Sequence, residues 1–234
     1  MGCLLEICYI FAMTTNDHRN EKHKTMKVIL LNGSPHREGN TATALQEVSN
    51  QLKRNGIESE TVWIGTKPVR GCVACGQCAE KHLGKCVFDD DVCNAIIAKV
   101  NEADGLIVGS PVYYGTPTGP VLSILHRMFY SGAKVDGKPA AAVAVCRRGG
   151  ATSAFQTLQM PFQMVNMPLV TSQYWNVVYG RTPGEAKLDA EGLQTMRTLA
   201  DNMAWMLKKL HGEDCALPAR EERMPTHFIR PDLA

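Results

Sequence analysis

The sequence has almost no excess of charge. Its 25 Lys and Arg face 23 Asp and Glu, a formal +2, so the basic surface that a nucleic acid or anionic membrane would need is missing. Small molecules or proteins are the expected partners. No secretory leader is expected either, because the apolar opening Met1–Phe11 has no basic segment before it and carries Glu6 inside it. Glu6 also stands where a myristoylation signal wants Ser or Thr. No Ser-His-Asp set, paired acid and base, or His-Glu metal helix stands out, and no side chain is assigned a catalytic role. Nine cysteines are an odd number, and four of them fall between 72 and 86. That argues against a secreted disulfide scaffold and for a reducing cytoplasm.

What is present is a regular alternation. Val28–Leu31 is a short apolar run closed by Asn32-Gly33, the pattern of a strand buried on both faces. A helix is expected from Thr41 to Asn55, since Ala44, Leu45, Val48 and Leu52 recur at helical spacing. Strands are expected at Ile57–Ile64, Asp104–Gly109, Pro139–Cys146 and Leu169–Val178. Helices are expected at Asp90–Ala103, Pro117–Tyr130, Thr152–Val165 and Leu188–Leu210. Five apolar strands alternating with helices call for an α/β fold, a mainly parallel sheet covered on both faces. The expected organisation is a disordered extension over 1–25, one domain over 26–210 and a polar tail over 211–234 that packs on the surface or across a subunit interface.

In such sheets ligands bind beyond the carboxyl ends of the strands. The loop after the first strand, Gly33-Ser34-Pro35-His36-Arg37-Glu38-Gly39-Asn40-Thr41, suits an anion. Its glycines allow close backbone approach, Ser34 and Thr41 carry hydroxyls, Asn40 an amide, and the helix start presents unpaired N–H groups. His36 and Arg37 contact phosphate or solvent. The loop is neither G-x-G-x-x-G nor a Walker A sequence, so dinucleotide and ATP sites lose ground. After the third strand, Ser110-Pro111-Val112-Tyr113-Tyr114-Gly115-Thr116-Pro117 forms a rigid turn with two aromatics at the topological switch point. Cys146-Arg147-Arg148-Gly149-Gly150 ends the fourth strand.

The segment Leu-Asn-Gly-Ser-Pro-x-x-x-Gly-Asn-Thr resembles the NAD(P)H-dependent FMN reductase and iron-sulfur flavoprotein families, over roughly Met26 to Leu210. Those families commonly place Arg where this chain has His36. The resemblance implies a flavodoxin-like doubly wound sheet of order 2-1-3-4-5 that binds FMN. It implies that Ser34, His36, Asn40 and Thr41 hold the flavin phosphate. Pro111, Val112, Tyr113, Tyr114 and Gly115 would then line the isoalloxazine, with Gly149 approaching it. It also implies a homodimer or homotetramer whose interface helps form the flavin site. Trp175-Asn176 also resembles the family, with a packing role expected.

Cys72-x2-Cys75-x2-Cys78-x7-Cys86 is a compact set whose first three thiolates can wrap three corners of a [4Fe–4S] cubane while the fourth closes from a short loop. Zinc, a redox disulfide between Cys75 and Cys78, and buried free thiols are the other readings of the same residues. Cys93 and Cys146 read as core residues, and Asp89, Asp90 and Asp91 as stabilising the helix that follows. The expected function is an oxidoreductase passing hydride from NAD(P)H through FMN to a flavin, quinone or metal complex. The alternatives are an electron carrier reduced by ferredoxin through a [4Fe–4S] cluster, and a flavin-binding redox sensor.

Overall fold

The residues of Val28–Leu31 point alternately to two apolar layers, and the rest of the domain is arranged around that alternation. The computed structural model describes residues 25–212 together with Ala219, Glu221, Glu222 and Met224. Strands β1 (Lys27–Asn32), β2 (Glu58–Trp63), β3 (Gly105–Pro111), β4 (Ala140–Cys146) and β5 (Val177–Tyr179) form one sheet of order β2-β1-β3-β4-β5. Every pairing is parallel. Leu30, for example, lies between Thr61 and Ile107.

Val28 and Leu30 pack with Leu45, Val48 and Leu52 of α1 (Asn40–Arg54) and with Met196, Leu199 and Met203 of α6 (Ala190–Leu210). Ile29 and Leu31 face the opposite layer. It is built by α3 (Cys93–Glu102), α4 (Gly119–Tyr130) and α5 (Ala151–Met164) through Ile96, Ile124, Leu125, Leu158 and Phe162. Strands β3 and β4 are buried nearly throughout, as expected for central parallel strands covered by helices. The flavodoxin-like doubly wound sheet expected from the sequence is therefore the fold.

Most boundaries shift by one or two residues from the sequence expectation, and three of the shifts have a local reason. The fifth strand is only Val177–Tyr179. Leu169 makes a lone bridge to Ala140 and the chain then leaves the sheet. Asn176 restores contact with its side chain, whose Nδ2 donates to the Ala142 carbonyl at 3.0 Å. Helix α3 begins at Cys93 rather than Asp90, because Asp91 is drawn into a buried ion pair. Helix α6 begins at Ala190, capped by Asp189, whose Oδ1 accepts the Gly192 N–H at 2.9 Å. A separate 3-10 turn, Glu185–Leu188, precedes it.

A short helix, α2 (Gln77–Glu80), lies within the cysteine-rich stretch, where no helix was expected. The extension expected over 1–25 falls outside the described residues except for Thr25. In the tail, Glu221 pairs with Arg197 at 2.9 Å and the Met224 N–H reaches Gln194 at 3.1 Å, which lays these residues along α6.

Candidate functional site

The order β2-β1-β3-β4-β5 reverses direction between β1 and β3, so the crevice at their carboxyl ends is where a ligand belongs. The two loops leaving those strands are bound together. The Gly33 N–H donates to the Gly109 carbonyl at 2.8 Å. The Thr118 hydroxyl donates to the Gly33 carbonyl at 2.8 Å, and the Thr118 N–H to Ser110 Oγ at 3.0 Å. A Cβ on Gly33 would stand 2.9 Å from the Gly109 carbonyl oxygen, so glycine is what permits this closeness.

The phosphate loop folds on its own side chains. Asn32 Oδ1 accepts the Ser34 N–H at 3.0 Å and Ser34 Oγ accepts the His36 N–H at 3.1 Å. From β2, Trp63 Nε1 donates to the Ser34 carbonyl at 2.8 Å, a support that the sequence did not reveal. The helix beyond has Gly39 as its N-cap, no side-chain cap and no acidic residue in its first turn. Its leading N–H groups are thus left for an anion rather than consumed by a cap.

A cavity of about 370 Å³ opens here, lined by Ser34, His36, Gly39, Asn40, Thr41, Pro111, Val112, Tyr113, Val145, Cys146, Arg147, Gly180, Arg181 and Pro183. Its volume lies in the usual range for small-molecule pockets. Two arginines and a histidine line it, and no carboxylate does. Seven of the expected flavin residues are brought together in it: Ser34, His36, Asn40, Thr41, Pro111, Val112 and Tyr113.

Tyr114, Gly115 and Gly149 are not among the lining residues. Tyr113 to Thr116 is a tight turn with reciprocal backbone bonds of 2.8 and 3.0 Å. Positive φ at Tyr114 (52°) and Gly115 (81°) puts Tyr114 at the tip, fully exposed. Gly149 has open space where a Cβ would go, whereas Gly150 has φ 85° and its Cβ would lie 3.0 Å from Gly115 Cα. Gly149→Ala is therefore expected to leave stability and ligand binding unchanged, while Gly150→Ala lowers both, measured by thermal unfolding and flavin titration.

Asn40 has a second duty. Its Nδ2 donates to the Thr182 carbonyl at 3.0 Å and its Oδ1 accepts the Ala186 N–H at 3.1 Å, which fixes the loop after β5 to the start of α1. Cys146 lines the cavity from the end of β4, is 6% exposed, and burial raises its thiol above the ordinary range. Cys93 is a core thiol, pushed up to about 12 by burial.

The four cysteines of the 72–86 stretch line a second, much smaller pocket, with Phe88, Arg127 and Tyr130 on its wall. Cys72 and Cys75 are exposed, Cys78 is buried and Cys86 is half-buried. Arg127, 1% exposed, donates from Nε to Cys86 Sγ at 3.3 Å, from Nη2 to the Phe88 carbonyl at 2.9 Å and from Nη1 to the Arg70 carbonyl at 3.2 Å. Its Nη1 also meets the Asp91 carboxylate in a buried ion pair.

Burial would raise the Asp91 carboxyl, but the Arg127 bond, helped by the Cys93 and Arg70 N–H groups, holds it below its ordinary value. Asp89 and Asp90 have separate partners, Asn94 and Arg70. The donor set suits iron or zinc, being all sulfur. The free volume of about 10 Å³ has room for roughly one water, enough for a single ion but not for a cubane. Among the described residues no three His, Cys, Asp or Glu side chains are gathered closely enough to hold a metal ion.

The profile of the NADPH-dependent FMN reductase family matches residues 26–182, a span that holds every lining residue of both cavities except Pro183. An iron-sulfur flavoprotein of Methanocaldococcus jannaschii is 36% identical over 194 residues, covering 78% of this chain and 98% of that protein. One from Methanosarcina thermophila is 29% identical over 188 residues, covering 78% and 96%. Among solved structures, RosB with bound 8-demethyl-8-formylriboflavin-5'-phosphate aligns with a TM-score of 0.60 at 17% identity, covering 80% of this chain and 81% of that one. A flavodoxin from the domain Archaea aligns at 0.53 and 15%, covering 78% and 99%. These distant structures establish the fold, while the profile and the sequence relatives establish kinship: the chain belongs to the NADPH-dependent FMN reductase family and is similar to the iron-sulfur flavoproteins.

Proposed function

We propose that this chain is an oxidoreductase that holds FMN in the 370 Å³ cavity, the phosphate at the open start of α1 and the ring against Pro111, Val112 and Tyr113. One observation carries the reading: the phosphate loop and the switch-point loop line a single cavity that has basic residues and no carboxylate. FMN, when bound there, supplies the hydride and electron chemistry. The residues of the chain bind and orient it. Ser34 Oγ already accepts one N–H, so its own proton is available to a phosphate oxygen. Thr41 lines the same end and is 2% exposed. Replacing both by alanine is expected to weaken FMN retention by about a hundredfold or more, each lost bond to a charged group costing roughly 1.5–3 kcal/mol.

The electron source is proposed to be a nicotinamide nucleotide, in keeping with the name of the family. A second reading, an electron carrier reduced by ferredoxin, is supported by the printed names of the relatives and by the all-thiol lining of the small pocket.

Purification under anaerobic conditions, followed by NADPH or NADH, separates the two. Rapid bleaching of the flavin by either nucleotide supports the reductase. Bleaching by reduced ferredoxin alone, with stoichiometric iron, overturns it in favour of the carrier.

Between Arg148 and Arg181 the sequence has no charged residue or histidine, and Met160, Met164, Tyr174 and Trp175 are exposed within that span. Such a surface fits a second copy of the chain. A homo-oligomer is accordingly proposed, with a sedimentation mass that is a multiple of 25.7 kDa. The six described cysteines are all free and no described helix is long and apolar enough to cross a membrane, in keeping with a proposed site of action in the reducing cytoplasm.

A further inference from the structure

We infer that Arg181, on the loop after β5, is the charge partner of the flavin phosphate and makes the cavity select FMN over riboflavin. The inference rests on the proposed flavin reading and adds a residue that the phosphate loop does not contain.

A phosphate monoester brings nearly two negative charges. The open start of α1 offers only about half an elementary charge, and the loop itself adds little net charge. The guanidinium of Arg37 lies over the Trp63 ring, 5.8 Å from its centroid, and Glu38 follows it with the opposite sign. Additional cationic charge has to come from elsewhere in the fold.

The chain brings it from the far side of the sheet. Strand β5 continues its ladder with the Gly180 N–H on the Cys146 carbonyl at 2.9 Å. At Gly180 the chain touches the first residue of α1 so closely that a Cβ would stand 2.8 Å from Asn40 Nδ2. Two residues later the Thr182 carbonyl accepts from that same Nδ2 at 3.0 Å. Arg181 lies between these two anchors, so its backbone is held beside the uncapped helix start, and it lines the cavity.

The acid nearest in sequence, Glu185, feels the charge of Arg181 but spends its hydrogen bonds elsewhere. Glu185 accepts from the Arg181 N–H at 2.5 Å, from the Thr182 N–H at 3.0 Å and from the Thr182 hydroxyl at 2.7 Å. No described residue forms an ion pair with the Arg181 guanidinium. Arg147, the other arginine of the cavity, leaves β4 one residue after Cys146, next to the Val145 carbonyl that holds the Val112 N–H at 2.9 Å. That places it at the ring end and makes it the internal control.

The test uses the full chain freed of flavin, titrated with FMN and with riboflavin by fluorescence quenching, as wild type, Arg181→Gln, Arg181→Lys and Arg147→Gln. Arg181→Gln is expected to weaken FMN binding about tenfold, leave riboflavin binding unchanged and flatten the salt dependence of FMN binding. Arg181→Lys restores part of the affinity because the charge is kept. Equal weakening of both flavins by Arg181→Gln, or no change in FMN binding, overturns the assignment. So does an FMN-selective loss in Arg147→Gln alone. A wild-type chain that binds neither flavin overturns the flavin reading and this assignment with it.

Discussion

Replacing Arg127 by alanine is expected to lower the unfolding free energy by about 3–5 kcal/mol, the usual cost of removing one partner from a buried ion pair. The side chains of Arg127 and Asp91 are 1% and 6% exposed, so water cannot take over the lost contacts. Alanine would leave the Asp91 carboxylate without its cation and the Phe88 and Arg70 carbonyls without donors. The damage is local in sequence but not in function. Asn94 binds the backbone of Cys86 on both sides, accepting from its N–H and donating to its carbonyl at 2.9 Å each, and Arg127 completes this frame around the Cys86 thiol.

Urea denaturation measures the loss, and Arg127→Lys is expected to recover only part of it, since one ammonium cannot reach four acceptors. The pair also sets a pH dependence. Because the folded-state pKa of Asp91 lies below its ordinary value of 3.8, its contribution is complete above that value and is lost as the pH falls through the folded one. In the Asp91→Asn variant this acid-side loss is expected to disappear, along with most of the contribution itself. An Arg127→Ala chain as stable as wild type would show that the frame is incidental.

Gly33→Ala is expected to weaken FMN binding by tenfold or more. No unusual backbone angle is involved, only space. The added methyl would sit 2.9 Å from the Gly109 carbonyl oxygen and 3.0 Å from Val121 Cγ2, and a carbonyl in the middle of a buried strand has no room to yield. Relief has to come from the phosphate loop, which would lift from β3 and carry Ser34 and the hydrogen bond from Thr118 with it. Overpacking of this kind costs about 1–3 kcal/mol, and here it falls on the loop that orients the ligand. Gly119→Ala is the matched control, since nothing lies within 4 Å of its Cβ position and alanine favours a helix. Flavin titration of the two variants checks the contrast, and equal affinities would contradict the steric account.

The parallel sheet and both apolar layers were legible in the sequence because β1, β3 and β4 are continuous apolar runs and α1 and α6 carry one-sided stripes, whereas the strand order came from the family resemblance. Strand β5 was overextended for a physical reason. Leu169 to Val178 has the composition of a strand, but after Val170 the chain leaves the ladder, and it returns at Asn176, whose carbonyl accepts the Ala144 N–H at 3.0 Å while its side-chain amide reaches the Ala142 carbonyl. The family resemblance placed both Tyr113 and Tyr114 at the flavin, and the sequence does not distinguish two adjacent aromatics. The turn that carries them turns one to the cavity and the other to solvent.

Asn40 illustrates the deeper limit of local reading. An amide at a helix start has the chemistry of an anion ligand, yet its partners Thr182 and Ala186 are 142 and 146 positions away. The same separation hid Arg181. Arg127 left a detectable signal, an arginine on the stripe of α4 shared with Val121, Ile124 and Met128. Its partners in the cysteine-rich stretch have no periodicity that would have named them.

The central claim is that one cavity, built by the loops after β1 and β3, holds FMN. Titration of the flavin-free chain with FMN, followed by quenching of flavin fluorescence, tests it most directly. Saturable binding of one FMN per chain is the expected result, with affinity reduced together in Ser34→Ala/Thr41→Ala and in Gly33→Ala. A folded chain that neither retains nor takes up FMN would contradict it.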